Sequence, residues 1–334
     1  MRPESPRLSE VLTFENLIAA AQRASRGHRK AADVAVFLTD IEREVLGLER
    51  EIQSGLYGPQ PWRTFQIRDP KPRIISAAAF RDRVVQHALC HVIEPVLEHD
   101  ACPASFACRV GGGVKRALAH AHDCVRHNRY ALKLDIRHFF ETLDHSVLRR
   151  LLWRRIKDPG LRDLINVFID AGAPGSAAGR GLAIGNLTSQ HFANFYLGPL
   201  DRHLQRGLQV PGQARYMDDL LIFGASSEQL WRVHNSVDQF VRMHLDLELK
   251  TTVTCVLQTS EGVSFLGFRI WPSVVRFDRS RRKRWLRQLN TLQRGLDSGS
   301  LSDDYVQRSA ASQIGWSMHA DTRALARAWV RRLA

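Results

Sequence analysis

The stretch Tyr216-Met217-Asp218-Asp219 runs directly into the apolar segment Leu220-Leu221-Ile222-Phe223. Two adjacent carboxylates beside a strand that reads as buried are costly, because like charges repel and raise each other's pKa unless a cation neutralises them. Mg²⁺ accepts carboxylate oxygens and leaves coordination sites open for phosphate. The stretch therefore indicates a turn between two strands that belongs to a two-metal phosphoryl-transfer site. A solvated Asp-Asp turn is the alternative when the tetrapeptide is taken alone.

The charge of the chain points to a nucleic-acid partner. The 334 residues carry a net charge of +14 and are 44% hydrophobic, which is enough for two or three packed units. Residues 272–334 contain thirteen Arg or Lys against five Asp, a net charge of +8, so about a fifth of the chain carries more than half of the excess. An imbalance of this size favours nucleic-acid binding over a merely solvated helix face.

The cysteines and the hydropathy pattern predict a cytoplasmic protein. Five cysteines, an odd number with no CxxC pair, favour reduced thiols over a disulfide framework and argue against zinc. No apolar run approaches the ~18–20 residues of a membrane span, and the N-terminus does not resemble a signal peptide. We therefore expect no membrane partner.

Hydrophobic periodicity and turn residues predict a mixed α+β chain. Predicted helices cover 8–54, 81–97, 114–128, 144–170, 189–204 and 227–245, and helices again dominate from Pro272 to Ala334. Predicted strands cover 62–76, 130–136, the two sides of the turn at 216–223, and stretches near 252–257 and 263–270. The order between about 130 and 257 suits a ferredoxin-like unit. Such a sheet would bring Asp135, at a strand end, beside Asp218 and Asp219.

Six sequence blocks occur in the order typical of one enzyme family. They are Lys71-Pro72-Arg73 through Arg81-Asp82-Arg83-Val84-Val85-Gln86, Ser105-Phe106-Ala107-Cys108-Arg109, Leu134-Asp135-Ile136-Arg137-His138-Phe139-Phe140, Gly185-Asn186-Leu187-Thr188-Ser189-Gln190, Tyr216-Met217-Asp218-Asp219 and Phe265-Leu266-Gly267-Phe268. With these blocks the chain resembles a reverse transcriptase of the bacterial retroelement kind over essentially its full length. The resemblance implies an α+β right-hand polymerase with fingers, a ferredoxin-like palm and a helical thumb. The implied divisions are an N-terminal helical extension at 1–60, fingers at 61–129 with part of 141–190, a palm at 130–271 and a basic thumb at 272–334.

The segment from Ile184 to Gln190 narrows the resemblance. Most reverse transcriptases carry Gln where this chain has Ile184 and Pro where it has Gln190. The departure is similar to the reverse transcriptases of diversity-generating retroelements, although some related bacterial enzymes share it. The subgroup implies misincorporation opposite template adenines and mutagenic retrohoming. It also implies a small basic oligomeric accessory protein and a structured template RNA.

The resemblance assigns the chemistry to carboxylates and a lysine. Asp135, Asp218 and Asp219 form the implied catalytic cluster, and together with Ile136 they are assigned to a site for two Mg²⁺ ions, for which Mn²⁺ is expected to substitute. Lys250 lies near the family position of a lysine that protonates the leaving pyrophosphate. An exposed lysine with no such role is the alternative.

Further residues are assigned to dNTP and nucleic-acid binding by the resemblance. Phe140 is the implied steric gate against the ribose 2′-hydroxyl, while Phe139 serves the core. The other implied nucleotide contacts are Lys71, Arg73, Ile184, Gly185 and Gln190. The implied contacts to template, primer or RNA–cDNA duplex are Arg83, Arg109, Phe265, Leu266, Gly267, Arg281, Arg282, Lys283 and Arg284. For the basic residues of the fingers, a solvated hairpin is the alternative.

Rival functions stay open on the sequence alone. A retron, group II intron or anti-phage defence reverse transcriptase is the nearest alternative, although no endonuclease extension follows the predicted thumb. A non-catalytic RNA-binding protein on a polymerase fold is less favoured, because all three carboxylates and Phe140 are present. An aromatic residue at position 140 argues against an RNA-directed RNA polymerase.

Overall fold

The computed structural model describes residues 3–68, 72–322 and 327. The helices are α1 (Leu8–Val11), α2 (Phe14–Ala24), α3 (Ala32–Thr39), α4 (Ile41–Gln53), α5 (Phe80–His99), α6 (Val114–His127), α7 (Phe139–Thr142), α8 (His145–Leu152), α9 (Pro159–Asp170), α10 (Leu187–Tyr196), α11 (Gly198–Arg202), α12 (Ser227–Leu245), α13 (Arg279–Asp297) and α14 (Asp303–Ser317). The strands are β1 (Arg63–Arg68), β2 (Pro72–Ala77), β3 (Tyr130–Leu134), β4 (Gly212–Tyr216), β5 (Asp219–Gly224), β6 (Cys255–Gln258), β7 (Val263–Phe265), β8 (Phe268–Ile270) and β9 (Val275–Phe277).

The chain divides into two compact units. The first unit contains Met1–Cys102, Ile136–Arg202 and Gln239–Glu248. The second unit contains Pro103–Asp135, His203–Asp238 and Leu249–Ala334. Each unit therefore gathers stretches that are far apart in the sequence. The fingers, palm and thumb boundaries inferred from the sequence follow another division and stay predictions.

The first unit is mostly helical and is built around α5. This helix buries apolar residues along most of its length, among them Val84, Val85, Ala88 and Leu89. It packs against α2 and α10. The antiparallel hairpin β1–β2 belongs to the same unit, and all six residues of β1 are exposed. The predicted strands at 62–76 and helix at 81–97 are confirmed by this hairpin and by α5.

The second unit contains a four-stranded antiparallel sheet in the order β4-β5-β3-β6. Numbered by chain position within this unit, the strand order is 2-3-1-4, which is the ferredoxin-like order. Residues Leu220–Phe223 of β5 are buried, because the strand lies in the interior of the sheet with core on its faces. The predicted ferredoxin-like α+β fold is therefore confirmed.

A second sheet and two long helices complete this unit. Strands β7, β8 and β9 form a three-stranded antiparallel sheet whose buried aromatic residues pack in one core with α6, α13 and α14. The third strand, β9, was not expected, since Pro272 was interpreted as a boundary after which helices dominate. Pro272 instead lies in the turn between β8 and β9, where Trp271 N–H donates to Val274 O at 2.9 Å.

Three predicted helical stretches are interrupted. The stretch 8–54 consists of α1, α2, α3 and α4, with breaks at residues 12–13, 25–31 and 40. The helix expected over 144–170 is α8 and α9, separated at Trp153–Asp158. Asp158 caps α9 by accepting a 2.7 Å hydrogen bond from Leu161 N–H, and Pro159 occupies the first turn, where its missing N–H is not needed. The helix expected over 189–204 is α10 followed by α11 and a π-helical turn at His203–Gly207.

No helix in the described part of the chain is both long and apolar enough to span a bilayer.

Candidate active site

The sheet of the second unit brings two of the predicted carboxylates to neighbouring strand ends. Strands β3 and β5 are antiparallel, and Leu134 pairs with Leu220. Asp135 directly follows Leu134, the last residue of β3, and Asp219 directly precedes Leu220. Successive residues of an antiparallel pair stay opposite one another. The register of β3 and β5 therefore places Asp135 across from Asp219, at the same end of these two strands.

The third carboxylate lies in the hairpin turn between β4 and β5. Tyr216 pairs with Asp219, so Met217 and Asp218 form a two-residue turn, and Met217 has a φ of 55°. A positive φ is uncommon for a residue with a side chain. The buried guanidinium of Arg215 stabilises this conformation by donating from Nη1 to Met217 O at 3.1 Å. The turn thus presents Asp218 from a rigid frame.

Lys133 and the backbone of Leu266 surround the Asp219 carboxylate. Lys133 Nζ lies 3.4 Å from Asp219 Oδ1 and donates to Ser264 O at 2.9 Å. The backbone of Leu266 donates a hydrogen bond to the same carboxylate. Burial raises the pKa of Asp219 above its usual value, and the charge of Asp135 adds to the rise, while Lys133 and Leu266 oppose it. Asp219 is therefore a carboxylate whose negative charge is only partly compensated.

Lys250 is joined to Asp135 by its backbone and by its side chain. Lys250 N–H donates to Asp135 O at 2.9 Å, and Lys250 Nζ lies 3.6 Å from Asp135 Oδ2. Both side chains are partly exposed, at 30% and 27%. Lys250 therefore lies beside Asp135, and its role in catalysis stays a prediction.

The three aspartates do not form a ready-made metal cluster. Among the described residues, no group of three or more His, Cys, Asp or Glu side chains could hold a metal ion. The predicted convergence of Asp135, Asp218 and Asp219 on one metal site therefore stays a prediction. Two of these carboxylates lie beside cations of the protein: Asp135 beside Lys250 and Asp219 beside Lys133.

The donor set nevertheless fits a divalent ion. Asp219 Oδ1 is fully buried and accepts no well-directed hydrogen bond, so this oxygen has an unused lone pair at the sheet edge. Carboxylate oxygens are the ligands that hard divalent cations prefer. Asp135, Asp218 and Asp219 are the residues that would hold them. Ile136, the fourth predicted metal-site residue, is buried directly after Asp135.

The adjacent rings Phe139 and Phe140 have different environments in the first unit. Phe139 is buried at 2% exposure, whereas Phe140 is half-buried. The two rings pack edge to face with their centroids 5.6 Å apart. The Phe139 ring also packs edge to face on Tyr196, with 6.3 Å between the centroids. The prediction that Phe139 serves the core is confirmed. Phe140 is partly accessible, and its role as a steric gate stays a prediction.

The segment that begins at Ile184 is held through its backbone. Ser76 N–H donates to Ile184 O at 2.8 Å. Gly185 has a φ of 115°, and a Cβ there would lie 3.0 Å from Ser76 O, so the close approach requires glycine. Gln86 donates to Asn186 Oδ1 and accepts from Leu187 N–H, both at 2.9 Å. The Ile184 side chain, half-buried, can therefore vary without moving the segment, and Gln190 is exposed.

The basic residues predicted for the fingers have unequal surroundings. Arg73 is exposed on β2, and Arg83 stacks over the Phe80 ring at 5.1 Å. Arg109, in the second unit, donates to Ser105 O at 2.7 Å. Lys71 lies outside the described residues.

The predicted primer-binding hairpin and thumb belong to the second unit. Leu266 and Gly267 form the turn between β7 and β8, with φ values of 52° and 79°. On α13, Arg282 and Lys283 are exposed, Arg284 is half-buried, and Arg281 packs on aromatic rings. Phe265 is buried in the core, so it offers no surface to a primer.

Three residues that support the site were not predicted from the sequence. Lys133 lies two residues before Asp135 on β3, and strand alternation would have placed both side chains on one face. Arg215 lies in β4 beside the buried Gln213 and Ala214, and a fully buried charged side chain is unusual. Gln86 had been quoted in a sequence block but was given no role.

Comparison with known proteins agrees with this geometry. Residues 67–270 match the family model described as reverse transcriptase (RNA-dependent DNA polymerase). The protein YkfC of Escherichia coli K12 is 27% identical over 314 residues, covering 79% of this chain and 82% of that protein. The group II intron-encoded protein LtrA of Lactococcus lactis is 27% identical over 168 residues, which is 48% of this chain and 28% of that protein.

A eukaryotic relative and a solved structure extend the comparison. The putative COX1/OXI3 intron 2 protein of Saccharomyces cerevisiae is 20% identical, covering 67% of this chain and 33% of that protein. The chain thus spans about a third or less of the two intron proteins. Telomerase from Candida albicans, solved with a fragment of telomeric RNA, superposes with a TM-score of 0.50 at 11% identity. That match covers 72% of this chain and 51% of telomerase, and it shows the fold alone.

Proposed function

This chain belongs to the reverse transcriptase (RNA-dependent DNA polymerase) family and is an RNA-directed DNA polymerase, and from that premise we propose that it copies a template RNA with reduced fidelity at adenines as part of a diversity-generating retroelement. The observation that carries the polymerase part is the placement of Asp135 opposite Asp219 beside the Asp218 turn. The observation that carries the fidelity part is Ile184 at the start of a segment held by its backbone.

The proposed reaction is nucleotidyl transfer to a primer. The primer 3′ oxygen forms a bond to the α-phosphorus of a dNTP, and the bond from that phosphorus to pyrophosphate breaks. Mg²⁺ held by Asp135, Asp218 and Asp219 would lower the charge on the attacking and leaving oxygens. Lys250, whose ammonium lies 3.6 Å from Asp135 Oδ2, would donate a proton to the departing pyrophosphate.

The remaining residues would orient the substrates. Phe140 would exclude nucleotides that carry a 2′-hydroxyl, because its ring stays accessible while Phe139 fills the core. Arg73 and Lys71 would contact the triphosphate. Exposed Arg282 and Lys283 would contact phosphates of the RNA–cDNA duplex through a sequence-independent, salt-sensitive attraction.

The low fidelity would follow from the side chain at position 184. A branched, apolar residue replaces a long polar one, so a hydrogen bond near the templating base pair is lost and its fit changes. Discrimination between bases depends on such differences in transition-state binding. A small basic oligomeric accessory protein would act as partner.

A second candidate is a reverse transcriptase of the group II intron kind. The observation that favours it is the 27% identity with LtrA over 168 residues. Such an enzyme would copy RNA accurately, whereas the diversifying enzyme would make errors at one template base.

The error spectrum separates the two candidates. Purified protein would extend a DNA primer on an RNA template containing all four bases, with Mg²⁺ and dNTPs, and the cDNA would be sequenced. We expect errors concentrated opposite adenine, and we expect Ile184→Gln to reduce them severalfold. Ile75→Val, a conservative change of a neighbouring half-buried residue, is the control. Uniformly accurate copying by the wild type would assign the chain to the second candidate, and an unchanged spectrum in Ile184→Gln would remove Ile184 from the explanation.

A further inference from the structure

The turn Leu266-Gly267 is held from two directions. On one side, the Leu266 backbone donates to the Asp219 carboxylate, and Lys133 joins that carboxylate to Ser264 of the same hairpin. On the other side, Arg281 Nη1 donates to Leu266 O at 2.9 Å, and Asp278 N–H donates to Gly267 O at 3.1 Å. Both carbonyl groups of the turn therefore accept hydrogen bonds from the start of α13.

The Arg281 guanidinium is itself fixed by aromatic stacking. Its central carbon lies 3.4 Å from the centroid of the Trp316 ring and 5.7 Å from that of Phe268. Trp316 in turn stacks on Phe268 at 4.8 Å with an interplanar angle of 17°. Guanidinium groups bind well to aromatic faces, where the stacked plane keeps its N–H groups free to donate at the edge. Arg281 thus has one defined orientation.

The turn itself is strained and crowded. Leu266 has a φ of 52°, a conformation that residues with a side chain rarely adopt. At Gly267, a Cβ would lie 2.2 Å from Arg281 Nη1, so the guanidinium occupies the space beside this glycine. Such strain persists only where the surroundings over-determine the conformation. Asp219 on one side and Arg281 on the other hold the Leu266-Gly267 turn in this conformation.

We infer that Arg281 is a positioning residue: it holds the Leu266-Gly267 turn against Asp219, so that helix α13 and Trp316 of α14 set the place of the primer end. Arg281 therefore differs in role from Arg282 and Lys283, with which the sequence had grouped it as a contact to nucleic acid. The inference rests on the proposed polymerase function. On this inference, Arg282 and Lys283 of α13 bind phosphate, whereas Arg281 aligns the primer end with the incoming nucleotide.

Steady-state kinetics separate positioning from phosphate binding. For Arg281→Ala we expect kcat for single-nucleotide incorporation to fall roughly 10- to 100-fold, because small misplacements of reacting groups carry such losses. The Kd for primer–template and its salt dependence should change little. The neighbouring exposed variant Arg282→Ala should do the reverse, weakening binding and reducing the slope of log Kd against log salt by about 1.

Two more variants keep the inference falsifiable if Arg281→Ala is unstable. Arg281→Lys retains the charge but not the planar stack, so we expect the same loss of kcat. Gly267→Ala would displace the guanidinium from the opposite side and should reproduce the loss. Rescue by lysine, a raised Kd with unchanged kcat, or normal extension by Gly267→Ala would each overturn the inference.

A fluorescent primer end makes the test independent of chemistry. With 2-aminopurine at the primer 3′ terminus, the wild type should give the fluorescence of a single, ordered primer end. Arg281→Ala should give the fluorescence of a mobile primer end. Equal signals would overturn the positioning role. If the wild type seats the primer but extends none, the proposed function fails while this inference stands.

Discussion

Lys250 and Asp135 are joined twice, through Lys250 N–H to Asp135 O at 2.9 Å and through Lys250 Nζ to Asp135 Oδ2 at 3.6 Å. The backbone hydrogen bond fixes the position of the Lys250 main chain beside Asp135. The ion pair brings the Lys250 ammonium, a proton donor, to the Asp135 carboxylate. The first does not depend on the side chain. The chemistry of Lys250 can therefore be tested without losing the position of its backbone.

Replacing the Lys250 side chain should slow the chemical step. For Lys250→Gln we expect kcat to fall by about 100-fold, since general acid catalysis contributes roughly 10²–10⁴-fold. The KM for dNTP should change little. Rapid-quench incorporation of one nucleotide measures both quantities. Lys283→Gln, on the exposed face of α13, is the matched control for loss of one lysine charge; a kcat as high in Lys250→Gln as in that control would exclude the role.

The raised pKa of Asp219 makes its charge a cost to the folded protein. Burial keeps the pKa of Asp219 in the folded protein above its value in the unfolded chain. The folded protein therefore loses stability as the pH rises from the unfolded-state pKa through the folded-state pKa. In EDTA, Asp219→Asn should therefore have a higher Tm than the wild type at pH 7. About 1 kcal/mol shifts Tm by roughly 2–4 °C in domains of 150–250 residues, and a rise of that order is expected.

Two conditions check this interpretation of Asp219. The Tm difference should shrink as pH falls below the unfolded-state pKa, because both proteins are then neutral at this position. Mg²⁺ should raise the Tm of the wild type and leave Asp219→Asn unchanged, since binding to the folded state alone stabilises it. A variant that Mg²⁺ stabilises as much as the wild type would remove Asp219 from the metal site.

The pair Phe139 and Phe140 should separate stability from sugar selection. Phe140→Ala should admit ribonucleotides and lower the preference for dNTP by roughly 10- to 200-fold, the range for loss of one shape-selective contact. Phe139→Ala should instead destabilise the protein by about 3–5 kcal/mol, as buried aromatic truncations do. Competition between dNTP and rNTP, together with thermal denaturation, measures both effects. Unaltered discrimination in Phe140→Ala would contradict the steric gate.

Gln86 should matter for stability through one buried and one partly buried hydrogen bond. Gln86→Met keeps the volume but leaves Asn186 Oδ1 and Leu187 N–H without this partner. Each unsatisfied buried group costs about 1–3 kcal/mol. We expect a loss of about 2–4 kcal/mol in urea denaturation. Gln53→Met, which removes an exposed side-chain hydrogen bond to Glu49, is the control and should be near neutral; equal losses of stability in the two variants would contradict this account.

The fold was predictable where periodicity and turn residues agree. The helix at 227–245 and the hairpin around Met217-Asp218 follow from pattern alone. The break between α8 and α9 was missed, although Asp158-Pro159 is a helix-start signal, because the apolar period continues across it. Strand β9 was missed because Pro272 was interpreted as a boundary after which helices dominate, whereas it lies in the turn before this strand.

The sequence predicts which residue types form the candidate site, but it does not predict which residues contact one another. Adjacent carboxylates at a strand turn indicate metal chemistry, and the register of β3 and β5 follows from their hydrophobic pattern. No sequence pattern distinguishes Arg281, stacked on Trp316, from exposed Arg282 beside it. That difference arises from tertiary packing between α13, α14 and β8.

The most direct measurement is primer extension on an RNA template by the wild type and by Asp218→Ala, with circular dichroism and Tm as controls for folding. The account predicts Mg²⁺-dependent cDNA synthesis by the wild type. For Asp218→Ala it predicts loss of synthesis by at least 1,000-fold, on the order of a lost electrostatic catalyst, at unchanged primer–template affinity. Full-length cDNA from Asp218→Ala at the wild-type rate would contradict the central claim that these carboxylates form the polymerase active site.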